Sequence, residues 1–384
     1  MTATQLRIPF VDLTVQYSSI REEINDAVLR VFDSGQFVGG EWVEKFEEEF
    51  ARFVGARYAV GVGSGTAALE LALRVANVRS GDEVIIPANS FIATAEAVSS
   101  IGATPVFADV EATTFHLDIC SVKSLLSPKT RAIVPVHLYG RAMDLDRLQA
   151  LADSLGLAVI EDAAQAHGTQ LRGVRIGGSG RLTCFSFYPA KNLGAYGDAG
   201  AVTCNDAGHA ERLRLLRNHG SAKKYAHSIV GTNSRLDAIQ AAVLSVKLCH
   251  IAAWNAMRVC HAKAYARFLD NSSIRPPAIP RDGEHNFHLF VVQCRDRNAL
   301  ASFLRIRGIA TGIHYPVPLH LTEAYQALGS SGKGSSPIAE MLTTQILSLP
   351  MYPELGEDKL EYLRVALHEF VNTRNACEKV LRAF

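Results

Sequence analysis

Residues 61–68, GVGSGTAA, form a run of small residues where an apolar stretch gives way to a helical pattern. Free backbone N–H groups and the start of a helix make such a turn a cradle for an anion. Gly65 and Thr66 are its candidate phosphate contacts. The spacing matches neither the dinucleotide fingerprint nor the P-loop, and a turn of this kind also serves simply to let a helix pack close to a sheet.

At 159–168, VIEDAAQAHG, an apolar run leads straight into two acids. In parallel sheets the carboxyl ends of the strands are where ligands sit. A carboxylate there can pair with a cationic ligand atom, and Asp162 is better placed than Glu161 if the strand alternates faces. Asp is also a common helix N-cap, and His167 reads as a structural hydrogen bonder. At 184–200, CFSFYPAKNLGAYGDAG, Lys191 stands between an aromatic strand and a glycine-rich turn. Apolar surroundings lower a lysine's pKa and free a neutral amine for Schiff-base chemistry; an exposed loop lysine is the ordinary alternative. An anion cradle, a strand-end carboxylate and a lysine in an aromatic pocket are together what pyridoxal 5′-phosphate needs for its phosphate, pyridinium nitrogen and aldehyde. The combination points to a pyridoxal enzyme where no single motif does.

The elements that must position these residues are also legible. From residue 58 short β-branched runs alternate with longer helical patterns, the mark of βαβ units on a mostly parallel sheet. Seven strands are predicted, at 58–62, 83–87, 105–108, 132–136, 157–160, 182–187 and 200–204. Helical spacing falls at 66–75, 92–100, 145–155 and 207–217, with Gly102 and Gly156 as stops. Ahead of the sheet, 20–32 and 42–54 read as amphipathic helices, the second with Val43, Phe46, Phe50 and Phe53 on one face. A pattern free of Pro and Gly at 235–266 predicts a long helix that bridges to a smaller C-terminal α/β unit, with a strand at 288–293 and helices at 298–307 and 360–382. The expected division is a large cofactor-binding domain at 1–245 and a small domain at 246–384 that includes the bridging helix. Residues 329–336 read as a surface loop.

A chain of 384 residues with 48% apolar and 20% charged residues is a soluble globular composition. With 39 basic against 38 acidic residues, net charge +1, it carries no electrostatic footprint for nucleic acid or a lipid surface. Seven scattered cysteines without a Cys-x-x-Cys pair suit free thiols in a reducing compartment. The absence of an export signal or long apolar run places the protein in the cytoplasm. No metal is indicated, because His285 with His288, and His314 with His320, lack companion ligands.

Nearly the whole chain resembles the DegT/DnrJ-type sugar aminotransferases. The likeness runs from PFVDL and SGQFVGGEWVEKFEEEFA through GSGTAAL, GDEVIIPANSFIATAEAV and DAAQAHG to SFYPAKNLGAYGDAGAV. It implies the fold type I aminotransferase architecture, a large mostly parallel seven-stranded α/β domain with a smaller C-terminal α/β domain. By the same resemblance Lys191 would form the Schiff base with the cofactor and Asp162 would pair with the pyridine nitrogen. Gln165 would lie near the phenolic oxygen, Phe91 would stack on the ring, and Gly65, Thr66 and Ser186 would hold the phosphate. Asn233 matches a residue that reaches the neighbouring subunit's cofactor phosphate, which implies a homodimer with shared sites, and Tyr225 would enter the same neighbouring pocket.

Within that family, FYPAKNLG with HYPVPLHL at 314–321 resembles enzymes that aminate carbon 3 of a dTDP-linked 3-oxo-6-deoxyhexose, with L-glutamate as donor and pyridoxamine 5′-phosphate as the intermediate cofactor form. Such amino sugars feed deoxysugar pathways, lipopolysaccharide O-antigen among them. Tyr188, His167 and His314 are the substrate candidates beside Tyr225. Ala199 departs from the family, where a second glycine is usual, and its methyl bears on the turn or the pocket floor. The rivals are amination at carbon 4, a UDP-linked sugar acid or cyclitol as acceptor, and a pyridoxal-binding regulatory protein without turnover.

Overall fold

Small and β-branched residues fill the seven predicted strands, and all seven join one sheet. The computed structural model describes residues 6–327 and 332–382, with backbone only from residue 375 on. The strands are β1 (Tyr58–Val62), β2 (Glu83–Pro87), β3 (Thr104–Ala108), β4 (Thr130–Ile133), β5 (Ala158–Asp162), β6 (Leu182–Ser186) and β7 (Gly200–Cys204). Their spatial order is β1-β7-β6-β5-β4-β2-β3. Only β7 is reversed, antiparallel to both β1 and β6. Strand β4 stops short of the predicted 136 because Pro135 has no N–H to give a ladder; its carbonyl accepts from Asp162 N at 2.9 Å instead. Pairing with β6, Glu161 opposite Thr183 and Asp162 opposite Cys184, carries β5 beyond the predicted 160 to Asp162.

Ser64 caps α4 (Gly65–Val75), its Oγ accepting from Ala67 N at 3.1 Å. The helix buries Ala68, Leu71, Ala72 and Val75 against the sheet. Helices α1 (Leu13–Ser19), α2 (Arg21–Ser34) and α3 (Glu41–Val54) precede β1, while α5 (Ala93–Ser100), α6 (Ile119–Ser124), α7 (Asp146–Leu155) and α8 (Ala207–Arg217) follow their strands. Gly156 caps α7 in the left-handed conformation that glycine adopts without strain. The predicted aromatic face of α3 packs on β6, with the Phe50 ring edge-on to Phe185 at 5.0 Å and to Phe187 at 5.2 Å. These rings form the floor beneath the turn that carries Lys191.

Helix α9 (Ala238–Phe268) spans 31 residues. It begins after the predicted 235 because Asp237 is extended and bridges to Val38. Beyond it, β8 (Phe290–Gln293) pairs antiparallel with β9 (Ile346–Leu349). Helices α10 (Arg297–Ile306), α11 (Glu323–Gln326), α12 (Pro337–Gln345) and α13 (Glu357–Arg382) complete the C-terminal part. Of the predicted loop at 329–336, residues 329–331 lie outside the described residues, 332–335 are exposed, and Ser336 is buried at the start of α12. The N-terminal segment crosses to this end of the molecule. Ile8 N donates to Gly308 O and Ala310 N donates to Ile8 O, both at 2.9 Å, and the Ile8 side chain is buried with Tyr265, Phe290 and Leu349. No helix among the described residues is long and apolar enough to cross a membrane.

Candidate active site

A cavity of about 440 Å³ opens at the carboxyl ends of β5 and β6, beside the start of α4. Gly65, Thr66, Phe91, Asp162, Gln165, Ser186, Tyr188, Lys191 and His314 all line it. The three motifs that lie far apart in sequence therefore meet in one chamber. A Cβ built on Gly65 would lie 2.5 Å from Ser186 Cβ, so only glycine lets the first turn of α4 come this close to the end of β6. The N–H groups of that turn have no intrahelical acceptor. Together with the Thr66 and Ser186 hydroxyls they make a cradle suited to an anion.

Alternation along β5 sends its two acids to opposite faces. Glu161 is buried away from the cavity, accepting from His137 Nε2 at 2.8 Å, Arg181 Nε at 2.7 Å and Ser179 Oγ at 2.9 Å. Burial alone would raise its pKa, but the bonds from His137 and Arg181 hold it down at about 2. Asp162 faces the cavity. Its Oδ2 accepts from Thr94 Oγ1 at 2.9 Å and its Oδ1 from Ala164 N at 3.1 Å, and Ser90 Oγ meets Thr94 Oγ1 at 2.9 Å. Burial pushes the Asp162 carboxyl up, against these bonds and the Lys191 charge. A carboxylate so poorly solvated gains strongly from a cationic partner.

Lys191 sits half-buried on the other side. Burial presses its pKa down to about 8, with Asp162 opposing, so a neutral amine is accessible near physiological pH. Gln165 joins the walls, its Oε1 accepting from Tyr139 N and its Nε2 donating to Tyr315 OH at 3.3 Å. His314 Nδ1 meets Ser348 Oγ at 2.8 Å, its ring stacks on Phe10 with centroids 5.5 Å apart, and burial, then Lys191, lower its pKa to about 4. Phe91 and Tyr188 are more than half exposed at the mouth.

Three predicted residues stand elsewhere. His167 does not reach the cavity: it is fully buried between the Phe185 and Phe187 rings, 5.6 Å from each, and burial, then Lys191, lower its pKa to about 3. The apolar floor under β6 claims it, so direct substrate contact is removed from its candidate roles. Asn233 is exposed opposite Asn218, and Tyr225, 83% exposed, tips the hairpin of Ser221–Lys223 and Ala226–His227. Neither lines this chain's own cavity. Ala199 also turns from the cavity, its methyl buried among Phe187, Leu193 and Ala195.

Ser64, Ser90, Thr94, Asp198 and Tyr315 line the cavity as well and were not singled out from the sequence, and His288, weighed there only as a metal ligand, joins them. Ser90 and Thr94 flank Phe91, and Tyr315 follows His314, so the signal lay one to three residues from positions already noted.

A lysine with a lowered pKa, a buried carboxylate in want of a cation and a glycine-walled anion cradle fit pyridoxal 5′-phosphate, and with this fold they define a fold type I, pyridoxal-dependent aminotransferase. Residues 18–368 match the DegT/DnrJ/EryC1/StrS aminotransferase family, and the chain belongs to it. It is 48% identical over 360 residues, 94% of each chain, to the dTDP-3-amino-3,4,6-trideoxy-alpha-D-glucose transaminase of Streptomyces venezuelae. It is 43% identical to the UDP-N-acetyl-3-dehydro-alpha-D-glucosamine 3-aminotransferase of Acidithiobacillus ferrooxidans, over 92% of this chain and 95% of that one. The crystal structure of S. venezuelae DesV in complex with a ketimine intermediate superposes with a TM-score of 0.93 at 46% identity, covering 95% of this chain and 98% of that one.

Proposed function

We propose that this aminotransferase moves an amino group from L-glutamate to carbon 3 of a dTDP-linked 3-oxo-6-deoxyhexose. The observation that carries the reading is the pairing of Lys191 and Asp162 across one cavity with the half-exposed Tyr188 at its mouth; the likeness to a dTDP-3-amino-sugar transaminase over 94% of both chains supports the acceptor. Residues 1–245 would hold the cofactor, and 246–384 would complete the cavity through His288, His314 and Met351. The six described cysteines are free, which supports a reducing compartment and the cytoplasm.

Gly65, Thr66 and Ser186 would hold the cofactor's phosphate, Asp162 its ring nitrogen, Gln165 its phenolic oxygen, Phe91 its ring face and Lys191 its aldehyde carbon. When bound, the group carries nitrogen from donor to acceptor and takes up the electron pair left as a substrate carbon loses its proton. Lys191 Nζ, once free, would take that proton from the substrate carbon and return it to the cofactor carbon on the other side of the transferred nitrogen, a general acid/base role worth about 10²–10⁴ in rate. Asp162, kept ionised by its cationic partner, would hold the proton on the ring nitrogen. Thr94 and Ala164 N–H fix the carboxylate's orientation, and Phe10, Leu138 and Met351 give the cavity apolar lining.

Tyr188 would position the hydroxyls that flank carbon 3. Tyr188→Phe should lower kcat/KM for the sugar and leave the glutamate half-reaction nearly intact, whereas structural damage depresses both. Matched 3-oxo and 4-oxo dTDP-6-deoxyhexoses with glutamate, and the new amine located by NMR, test the regiochemistry. A better kcat/KM with the amine at carbon 4 overturns the acceptor while the aminotransferase stands. A UDP-linked acceptor is the second reading, favoured by the A. ferrooxidans relative, and UDP ketosugars belong in the same screen.

A further inference from the structure

A lysine without exposed surface is rarely tolerated unless its ammonium is satisfied. Lys247, in the first third of α9, has 0% of its surface exposed. Its Nζ donates to Gly194 O at 2.8 Å and lies 4.1 Å from the centre of the Tyr196 ring. Burial brings its pKa down to about 8, with Glu354 opposing. Two turns earlier on the same face of α9, Gln240 Oε1 accepts from Tyr196 N at 2.8 Å. The helix thus grips the glycine-rich turn at both of these points, and again beside Lys191, where Asn255 Oδ1 accepts from Asn192 Nδ2 at 2.8 Å.

That turn has little freedom of its own. Lys191 N donates to Tyr188 O and Ala195 N to Phe187 O, both at 2.8 Å, and a Cβ on Gly194 would lie 2.3 Å from Pro189 O. Backbone packed this closely moves as a unit, so a displacement at Gly194 is passed to Lys191. We propose that Lys247 is a positioning residue for the reaction: through the Gly194 carbonyl it sets where the Lys191 side chain enters the cavity. About three turns further along α9, the buried Arg258 guanidinium donates to Met351 O at 2.8 Å and Phe287 O at 3.3 Å, segments that supply Met351 and His288 to the opposite wall. One helix therefore fixes both walls, each through one buried cation. The inference rests on the reading of Lys191 as the residue that holds the cofactor.

The test uses the cofactor-loaded enzyme. Lys247→Met keeps an apolar stem and removes the donor, Lys247→Arg returns a donor, and Gln240→Ala loosens only the second grip. Each is followed by the single-turnover glutamate half-reaction, the induced visible circular dichroism per bound cofactor, and thermal unfolding. Lys247→Met should slow the half-reaction roughly 10- to 100-fold, the scale of a misplacement of about 1 Å, weaken the induced circular dichroism and leave glutamate affinity near its wild-type value. Lys247→Arg should restore part of both signals, and Gln240→Ala should move both the same way by less. A folded Lys247→Met enzyme with wild-type rate and circular dichroism overturns the proposal, whatever its Tm. If Lys247→Met does not fold, Gln240→Ala decides, and unchanged signals there overturn it. Borohydride trapping of a lysine other than Lys191 in the wild type overturns the reading of the site itself, an outcome distinguishable from the others by peptide mapping.

Discussion

Two neighbouring carboxylates, Glu161 and Asp162, show how environment divides labour between like groups. Asp162 is raised by burial and lowered by Lys191; removing that lysine leaves the acid still more reluctant to ionise. Lys191→Ala is expected to abolish turnover and the visible absorption of the covalently held cofactor, since no other amine lines the cavity among the described residues. Borohydride labelling with peptide mapping checks the assignment. Glu161 behaves oppositely. Its folded pKa of about 2 lies below the ordinary 4.5, so its contribution to stability is fully present above about pH 4.5 and is lost as pH falls toward 2. Glu161→Gln should cost on the order of 3 kcal/mol at pH 7 and flatten the fall in stability between about pH 5 and 2, read by denaturant unfolding across that range. Activity per folded molecule should change far less than in Lys191→Ala.

At the scale of elements, the close approach of α4 to β6 is the feature most open to test. Gly65→Ala places a methyl 2.5 Å from Ser186 Cβ, so helix and strand must part and the cradle widens. Cofactor affinity should fall at least tenfold, read by fluorescence titration, while the sheet, held by other contacts, keeps its far-UV spectrum. The strands that position the site were legible because each is a short β-branched run ending at a turn residue; β1, β2 and β7 fall where predicted. The misses have physical causes. Pro135 ends β4 early, pairing with β6 carries β5 on to Asp162, β9 follows α12 with no Gly or Pro between them, and the Ser90–Thr94–Asp162 chain of bonds joins residues 68 positions apart, which no local pattern reveals. His167, read as a structural hydrogen bonder and a candidate for substrate contact, packs between two phenylalanines that no local pattern in its own segment reveals.

The whole molecule leaves Tyr225 and Asn233 outward, and their expected task is in a second copy. If the sites are shared across a dimer, Asn233→Ala and Asp162→Ala subunits, each inactive alone, should recover activity on mixing, because one of the two sites would then receive both intact residues. Absence of any recovery after subunit exchange removes the shared-site reading. The crossing of the N-terminal segment bears on how the protein is made. Ile8 is synthesised some three hundred residues before its partners Gly308 and Ala310. At ribosomal rates of about 5–20 residues per second, Ile8, Phe10 and Val11 wait on the order of 15–60 s without the surface that covers them. The wall that Phe10 and Val11 give the cavity has no backing throughout that wait, so the cavity cannot be completed on the nascent chain until residues 308–314 have been translated.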